Sequence, residues 1–444
     1  MDKSRTVAER LADHVVNTRF EDLPVDVVEH TKELLAFNLS VAFAGRFTEK
    51  GRLAVALAQR LSAGCGASSI VGHKVRVTLL DAIFAHSDLM AHNGDIHLGA
   101  KLITGSPSQP VAWVLGEHEH ASGRELITAL VVGYDAAAKL TEPVPMEGDY
   151  VRMPHKCASA PFGAAAITAR LLRLDHERTA QAIARAAHLC MGVNEGYDEA
   201  SVFPLMARNA VLAAQLPPMR DRESLQAIES PHGLYAAFFG GVPAGLEASL
   251  ATLGREYSIL RSVTKRFPGS ECHVAPLETT HALLADTGLK GQDIESIVAV
   301  LPLEFEGRFG KIEPIIERPS LREGDLIYSL KARLAALVME GKIVSPTLEQ
   351  FRAEQSRDLL SRIELRFERR PEDYARIEIR TRDGRTLTRE GKISPRPKGD
   401  LAGWLRRDGE RFLEEAKLAK LTRLIANIDD VSDVAEVLAC TIPD

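Results

Sequence analysis

The chain has 444 residues, more than one hydrophobic core usually spans, and 45% of them are hydrophobic, so two folded domains are expected and wholesale disorder is excluded. A formal net charge of −6 leaves no general basic surface and argues against nucleic acid as a partner. Five cysteines without a CxxC pair argue against a disulfide framework, a zinc site or an iron–sulfur cluster.

From the start to about residue 260 the pattern is helix after helix. Leu11, Val15 and Val16 form one short apolar face, and Leu34, Leu35, Leu39 and Val41 form another after the start signal Pro24. Segments 51–63, 77–92, 122–140, 158–172, 176–191 and 203–216 read the same way. Ser122 with Glu125 predicts a capping box, and Asp175 predicts an N-cap for 176–191. Residues 158–172, ASAPFGAAAITARLL, are small and apolar on nearly every side, which predicts a helix in the centre of a bundle. Near residue 265 the character changes. Residues 294–303 and 363–369 predict strands, and 375–393 predicts a hairpin turning at Asp383-Gly384. A helix is predicted over 322–341 and another over 401–425. The fold class is therefore mainly α: an all-helical domain of residues 1–265 and 396–444, interrupted by a smaller α+β domain of residues 266–395. No apolar run reaches membrane-spanning length, and MDKSRTVAERLADHVV lacks the apolar core of a signal peptide. A cytoplasmic protein with no membrane partner is expected.

Three constellations carry candidate chemistry. The densest is 81–113, where Asp88, His92, Asp95 and His97 fall within ten residues just after His86. Asp88 and His92 are four apart, hence on one helix face, and Gly94 is expected to end that helix in a Gly/Ser/Pro-rich loop. Carboxylates and imidazoles against an apolar wall have pKa values moved toward neutrality, as proton transfer requires. The alternative readings are a metal site, which lacks a recognised spacing such as HExxH, or solvated loop residues. The second is His155-Lys156 before the buried helix, where a helix start favours anions; a polar loop is the equal alternative. The third is Lys265-Arg266 at the domain junction, suited to carboxylate binding, although a solvated basic pair is the commoner fate of such a dipeptide. His118 and His120 read as a surface turn, His188 as a core histidine, and Arg208 as a structural pairing residue.

The order of segments resembles the MmgE/PrpD family. The resemblance rests on LADHVVNTRFEDLPVDVVEHTKELLAFNLSVAFAG, DAIFAHSDLMAHNGD, PVAWVLGEHEHASGRELITALVVGYDAAAKL, FGAAAITARLL, ARNAVLAAQL, KRFPGSECH and YSLKARLAALVMEGKI, in that order. Its members include 2-methylcitrate dehydratase, cis-aconitate decarboxylase and iminodisuccinate epimerase. The resemblance implies a homodimer with a large helical domain and an α+β lid. It further implies proton transfer beside the carboxylates of a small di- or tricarboxylate, with no organic cofactor and no iron–sulfur cluster, and no metal is expected. Where the family has an acidic run and then a His-Pro-Ser loop, this chain has Asn93-Gly94-Asp95-Ile96-His97 and then Ile103-Thr104, with no loop histidine. Asp95 is the surviving acid, His97 stands in as base, and His155 matches the histidine before the central helix, displaced by one position. Lys265 matches the lysine of a K-x-[YF]-P segment, while Glu199 falls near the place of a second family lysine. The expected catalytic residues are Asp95, His97 and His155. The expected substrate-binding residues are His92, Lys156, Lys265 and Arg266. A hydro-lyase is expected first; an epimerase, a decarboxylase and a non-catalytic ligand-binding protein are the alternatives.

Overall fold

The computed structural model describes residues 5–91, 94–97, 102–144, 155–190, 199–218, 222–264, 270–319, 321, 323–343, 346–371, 373–393 and 400–444. Residues 155–159, 199–201, 222, 223, 271, 323 and 324 among them are described as backbone only. The chain divides into two units, Met1–Thr264 with Pro397–Asp444, and Lys265–Arg396.

The first unit opens with α1 (Val7–Asn17), α2 (Val25–Gly45) and α3 (Glu49–Leu61), followed by the hairpin β1 (Ser68–Ile70) and β2 (His73–Val77). Next come α4 (Leu79–Met90), β3 (Ile96–His97), β4 (Leu102–Ile103), α5 (Gly105–His118) and α6 (Gly123–Thr141). Then follow α7 (His155–Leu171), α8 (His176–Ala186), α9 (Glu199–Ala214), α10 (Leu234–Phe239), α11 (Leu246–Leu250) and β5 (Ser262–Val263). Helix α7 is central: α5, α6, α8 and α9 all pack on it, and Ala160 to Ala169 are buried wherever the side chain is apolar. The predicted capping box of α6 is complete. The Ser122 side chain accepts from the Glu125 N–H, and the Glu125 carboxylate accepts from the Ser122 N–H. Asp175 caps α8 through the Arg178 N–H.

The second unit contains α12 (Val274–Thr287), β6 (Ile294–Pro302), α13 (Glu306–Ile312), α14 (Leu330–Glu340), α15 (Leu348–Arg352) and α16 (Glu354–Ser361). It ends with β7 (Ile363–Glu368), β8 (Tyr374–Thr381) and β9 (Thr386–Lys392). Its four-stranded sheet has the order β7-β6-β8-β9, with β6 parallel to β7 and the other pairs antiparallel. Ala375, Ile377 and Ile379 of β8 face a core shared with α12 and α14, while Arg376, Glu378 and Arg380 alternate outward. The chain then returns to the first unit with α17 (Leu401–Gly409), α18 (Glu415–Ala426) and α19 (Ala435–Cys440).

Several expectations are corrected. The first unit is not all-helical, because it holds the β1-β2 hairpin and a small β4-β3-β5 sheet. Helix α4 ends at Met90, four residues before Gly94, and the Gly/Ser/Pro segment from Gly105 is not a loop but helix α5. Pro110 deprives the Ser106 carbonyl of its helical donor, and the buried Ser87 hydroxyl of α4 donates to that carbonyl instead, at 2.8 Å. The helix expected over 401–425 is two helices; between them Phe412 turns inward onto Phe43 and Phe47. The helix expected from 322 begins at Leu330, and His188 is exposed, not in the core.

Gly123 joins the returning segment to α6: its N–H donates to the Val431 carbonyl, and a Cβ there would lie 1.6 Å from the Ile428 carbonyl oxygen. Gly123→Ala is expected to lower the free energy of unfolding by about 3 kcal/mol in a urea titration, because backbone must move to admit the methyl group.

Candidate functional site

The short β3 strand organises the site. Ile96 pairs with Ile103 and His97 with Leu102, so the residues just outside this ladder, Asp95 and Thr104, come opposite each other. The Thr104 N–H donates to the Asp95 carbonyl at 3.2 Å. On the other edge of β3, Ile96 pairs with Val263 and His97 with Ser262.

Asp95 is completely buried, and three donors from three different elements converge on its carboxylate. Asn38 Nδ2 of α2 reaches Oδ1 at 2.7 Å, and the Tyr134 hydroxyl of α6 reaches the same oxygen at 2.9 Å. The Thr104 hydroxyl donates to Oδ2 at 2.7 Å. Asn38 also donates to the Leu34 carbonyl at 2.8 Å, which fixes the orientation of its amide. Glycine is required at 105, where a Cβ would lie 2.2 Å from Asn38 Oδ1 and 2.4 Å from Asp95 Oδ1. Burial pushes the Asp95 pKa above its ordinary value, while Thr104, Asn38, Tyr134 and the charge of His30 pull it back. Burial together with Asp95 drives the Tyr134 phenol well above its ordinary range, so it stays protonated and keeps donating.

His97, two residues on, occupies a different environment. It is buried, with Nε2 3.4 Å from Glu142 Oε1, and Glu142 in turn is 2.8 Å from Arg261. Burial, with Arg261 and Lys139 adding to it, lowers the His97 pKa to about 3, so the imidazole is neutral. Burial raises the Glu142 pKa against the pull of Arg261 and Lys139. His86 is a third case. Its Nε2 accepts the Val71 N–H at 2.8 Å, and burial lowers its pKa to about 3. It is a fixed acceptor holding the β1-β2 hairpin on α4.

His155 begins α7 and Lys156 follows it in the first turn, but their side chains lie outside the described residues. His92, Lys265 and Arg266 lie outside them altogether. Asp88 is buried on α4. His118 and His120 sit on the surface with Glu119 and Asp433, and Arg208 approaches Asp81 at 3.6 Å. Among the described residues, no group of three or more His, Cys, Asp or Glu is arranged to hold a metal, and no helix is long and apolar enough to cross a membrane.

The sequence reading missed Asn38, Tyr134, Thr104, Ser262 and His30. Asn38 and Tyr134 did carry a signal, since each is a polar side chain within an otherwise apolar run, LLAFNLSVAF and LITALVVGYDAAAKL. Buried polar groups of this kind need partners.

A family model described as MmgE/PrpD N-terminal domain matches residues 9–247, a span that includes Asp95, His97, Tyr134 and His155. No curated protein matches the chain.

Because the folded pKa of His86 lies far below that of an unfolded histidine, its contribution to stability is intact above pH 6.5 and is lost as the pH falls toward 3. Lowering the pH from 7.5 to 5 is expected to remove about 2 kcal/mol through His86 alone. His86→Gln, whose Oε1 accepts from Val71 without titrating, is expected to show a correspondingly shallower loss in denaturant midpoints.

Proposed function

Because the chain belongs to the MmgE/PrpD family, we propose that it is a cofactor-independent lyase that removes a proton next to a carboxylate of a small di- or tricarboxylate. The family includes lyases and isomerases, and a dehydratase-like role is the family-level reading. The observation that carries the proposal is the caged carboxylate of Asp95. It is fully buried, its pKa is pushed upward by burial, and three directed hydrogen bonds hold it in one orientation. An unsolvated, oriented carboxylate is a stronger base than one in water.

In the proposed reaction Asp95 takes the proton from the carbon α to a carboxylate. The electron pair left on that carbon forms the double bond as the C–O bond at the neighbouring carbon breaks. A second carrier protonates the departing hydroxyl, which leaves as water. The low proton affinity of His97 favours His155 as that carrier and leaves His97 as a neutral hydrogen-bond donor. Lys156, Lys265, Arg266 and His92 are assigned to the substrate carboxylates, where cations stabilise the aci-carboxylate charge that develops in the transition state. The first turn of α7, a 17-residue helix, is assigned the same role through its backbone N–H groups. The same reading takes a second copy of the chain as partner. Epimerisation or decarboxylation of a related acid would use the same proton-transfer step.

Incubating the protein with a panel of di- and tricarboxylates in D₂O is expected to introduce deuterium α to a carboxylate in at least one of them, followed by ¹H NMR. Asp95→Asn, checked for folding by circular dichroism, is expected to slow that exchange by about 10²- to 10⁴-fold. Absence of exchange with every acid in the panel would contradict the proposal.

A further inference from the structure

His30 lies two turns before Asn38 on α2 and is only partly exposed, at 22% of its side-chain surface. Its Nε2 sits 2.8 Å from the carbonyl oxygen of Ser262, and its Nδ1 sits 3.3 Å from Glu33 Oε2. Both ring nitrogens therefore face acceptors. A carbonyl oxygen cannot donate, so the ring satisfies both neighbours only when both nitrogens carry protons. Ser262 is also the residue whose hydroxyl stands 3.3 Å from Thr104 Oγ1, and Thr104 is the donor to Asp95 Oδ2.

We infer that His30 is a positioning residue for the chemistry at Asp95: as an imidazolium braced between Glu33 and Ser262, it supplies a fixed positive charge that keeps the buried carboxylate ionised. This rests on the assignment of Asp95 as proton acceptor made above. It extends that assignment to a helix that carries none of the residues implied by the family resemblance.

The electrostatics agree with the geometry. Burial opposes a charge on His30, and the Glu33 carboxylate, the Ser262 carbonyl and Asp95 together outweigh it, so the His30 pKa lies above 6.5. In the other direction, His30 is the charged neighbour that pulls the Asp95 pKa down against burial. The groups facing His30 are Glu33 from its own helix, Asp95 from the turn after α4, and the Ser262 carbonyl from β5. Charges on elements packed against α2 are engaged elsewhere, Arg261 with Glu142 and Asp135 with His14, and on α2 itself Lys32 pairs with Glu29 and Asp429. A neutral ring at position 30 would leave only the Thr104, Asn38 and Tyr134 hydrogen bonds to oppose burial at Asp95. Its proton would then be held to higher pH.

The test uses the full chain labelled with ¹³C at histidine and aspartate. The His30 ring signal, assigned by its disappearance in His30→Gln, is expected to titrate above pH 6.5 and to fall by about 0.5–1 pH unit in Asp95→Asn. In His30→Gln, a substitution at a partly exposed position, the Asp95 carboxyl signal is expected to titrate at higher pH than in the wild type. Where turnover is available, the acid limb of kcat/KM moves to higher pH in His30→Gln, and each unit of that movement costs tenfold in rate below the limb. The effect falls on kcat more than on KM, and His30→Lys restores the limb. An Asp95 titration unchanged by loss of His30 would overturn the inference, as would a His30 titration that responds to Glu33→Gln but not to Asp95→Asn. The two NMR readouts need no turnover, so a protein inactive on every acid would overturn the enzyme reading and leave this one to be decided by them.

Discussion

A carboxylate taken out of water is the constraint on which the first unit depends. Burying an ion costs several kcal/mol unless directed partners replace its hydration. At Asp95 those partners come from three places far apart in sequence, Asn38 on α2, Tyr134 on α6 and Thr104 at the start of α5. Satisfying Asp95 therefore requires that α2, α5 and α6 already be docked around the β3-β4 ladder. Site and core are ordered by the same packing, and Gly105 is the point where the two meet most tightly, since any side chain there would strike both Asn38 and Asp95.

The dense run of histidines and aspartates separates into distinct environments once folded. His86 is a buried neutral acceptor holding a hairpin, Asp95 is a caged carboxylate with its pKa pushed up, and His97 is a neutral imidazole turned toward Glu142. Titratable groups whose surroundings push their pKa values apart are what acid–base chemistry at neutral pH requires. Residues only two apart acquire different roles because their side chains meet different neighbours. The charged neighbour acting on Asp95 is His30, whereas those acting on His97 are Arg261 and Lys139.

Local patterns made much of the fold legible. The helices of the first unit, the Ser122–Glu125 capping box, the Asp175 cap, the burial of α7 and the hairpin at Asp383-Gly384 all follow from periodicity and turn chemistry acting over a few residues. What escaped was decided at long range. Helix α5 exists despite Pro110 because a serine 23 positions earlier on α4 supplies the missing donor. The two-residue strands β3, β4 and β5 are too short to leave a pattern and exist only through each other. Asp95 was visible as a candidate, but its cage was not, because Asn38 and His30 lie more than fifty residues upstream and Ser262 lies far downstream. The MmgE/PrpD resemblance, borne out over residues 9–247, drew attention to the segment of Asp95 without naming those partners.

The central claim is that the Asp95 cage is where a small carboxylate gives up its proton. The most direct measurement is a crystal structure of the protein soaked with citrate. The account predicts a citrate carbon within about 3.5 Å of an Asp95 oxygen, the reach of a near-attack geometry, with one of its carboxylates at the first turn of α7. Citrate bound elsewhere, with the Asp95 cage closed and its three donors unchanged, would contradict it.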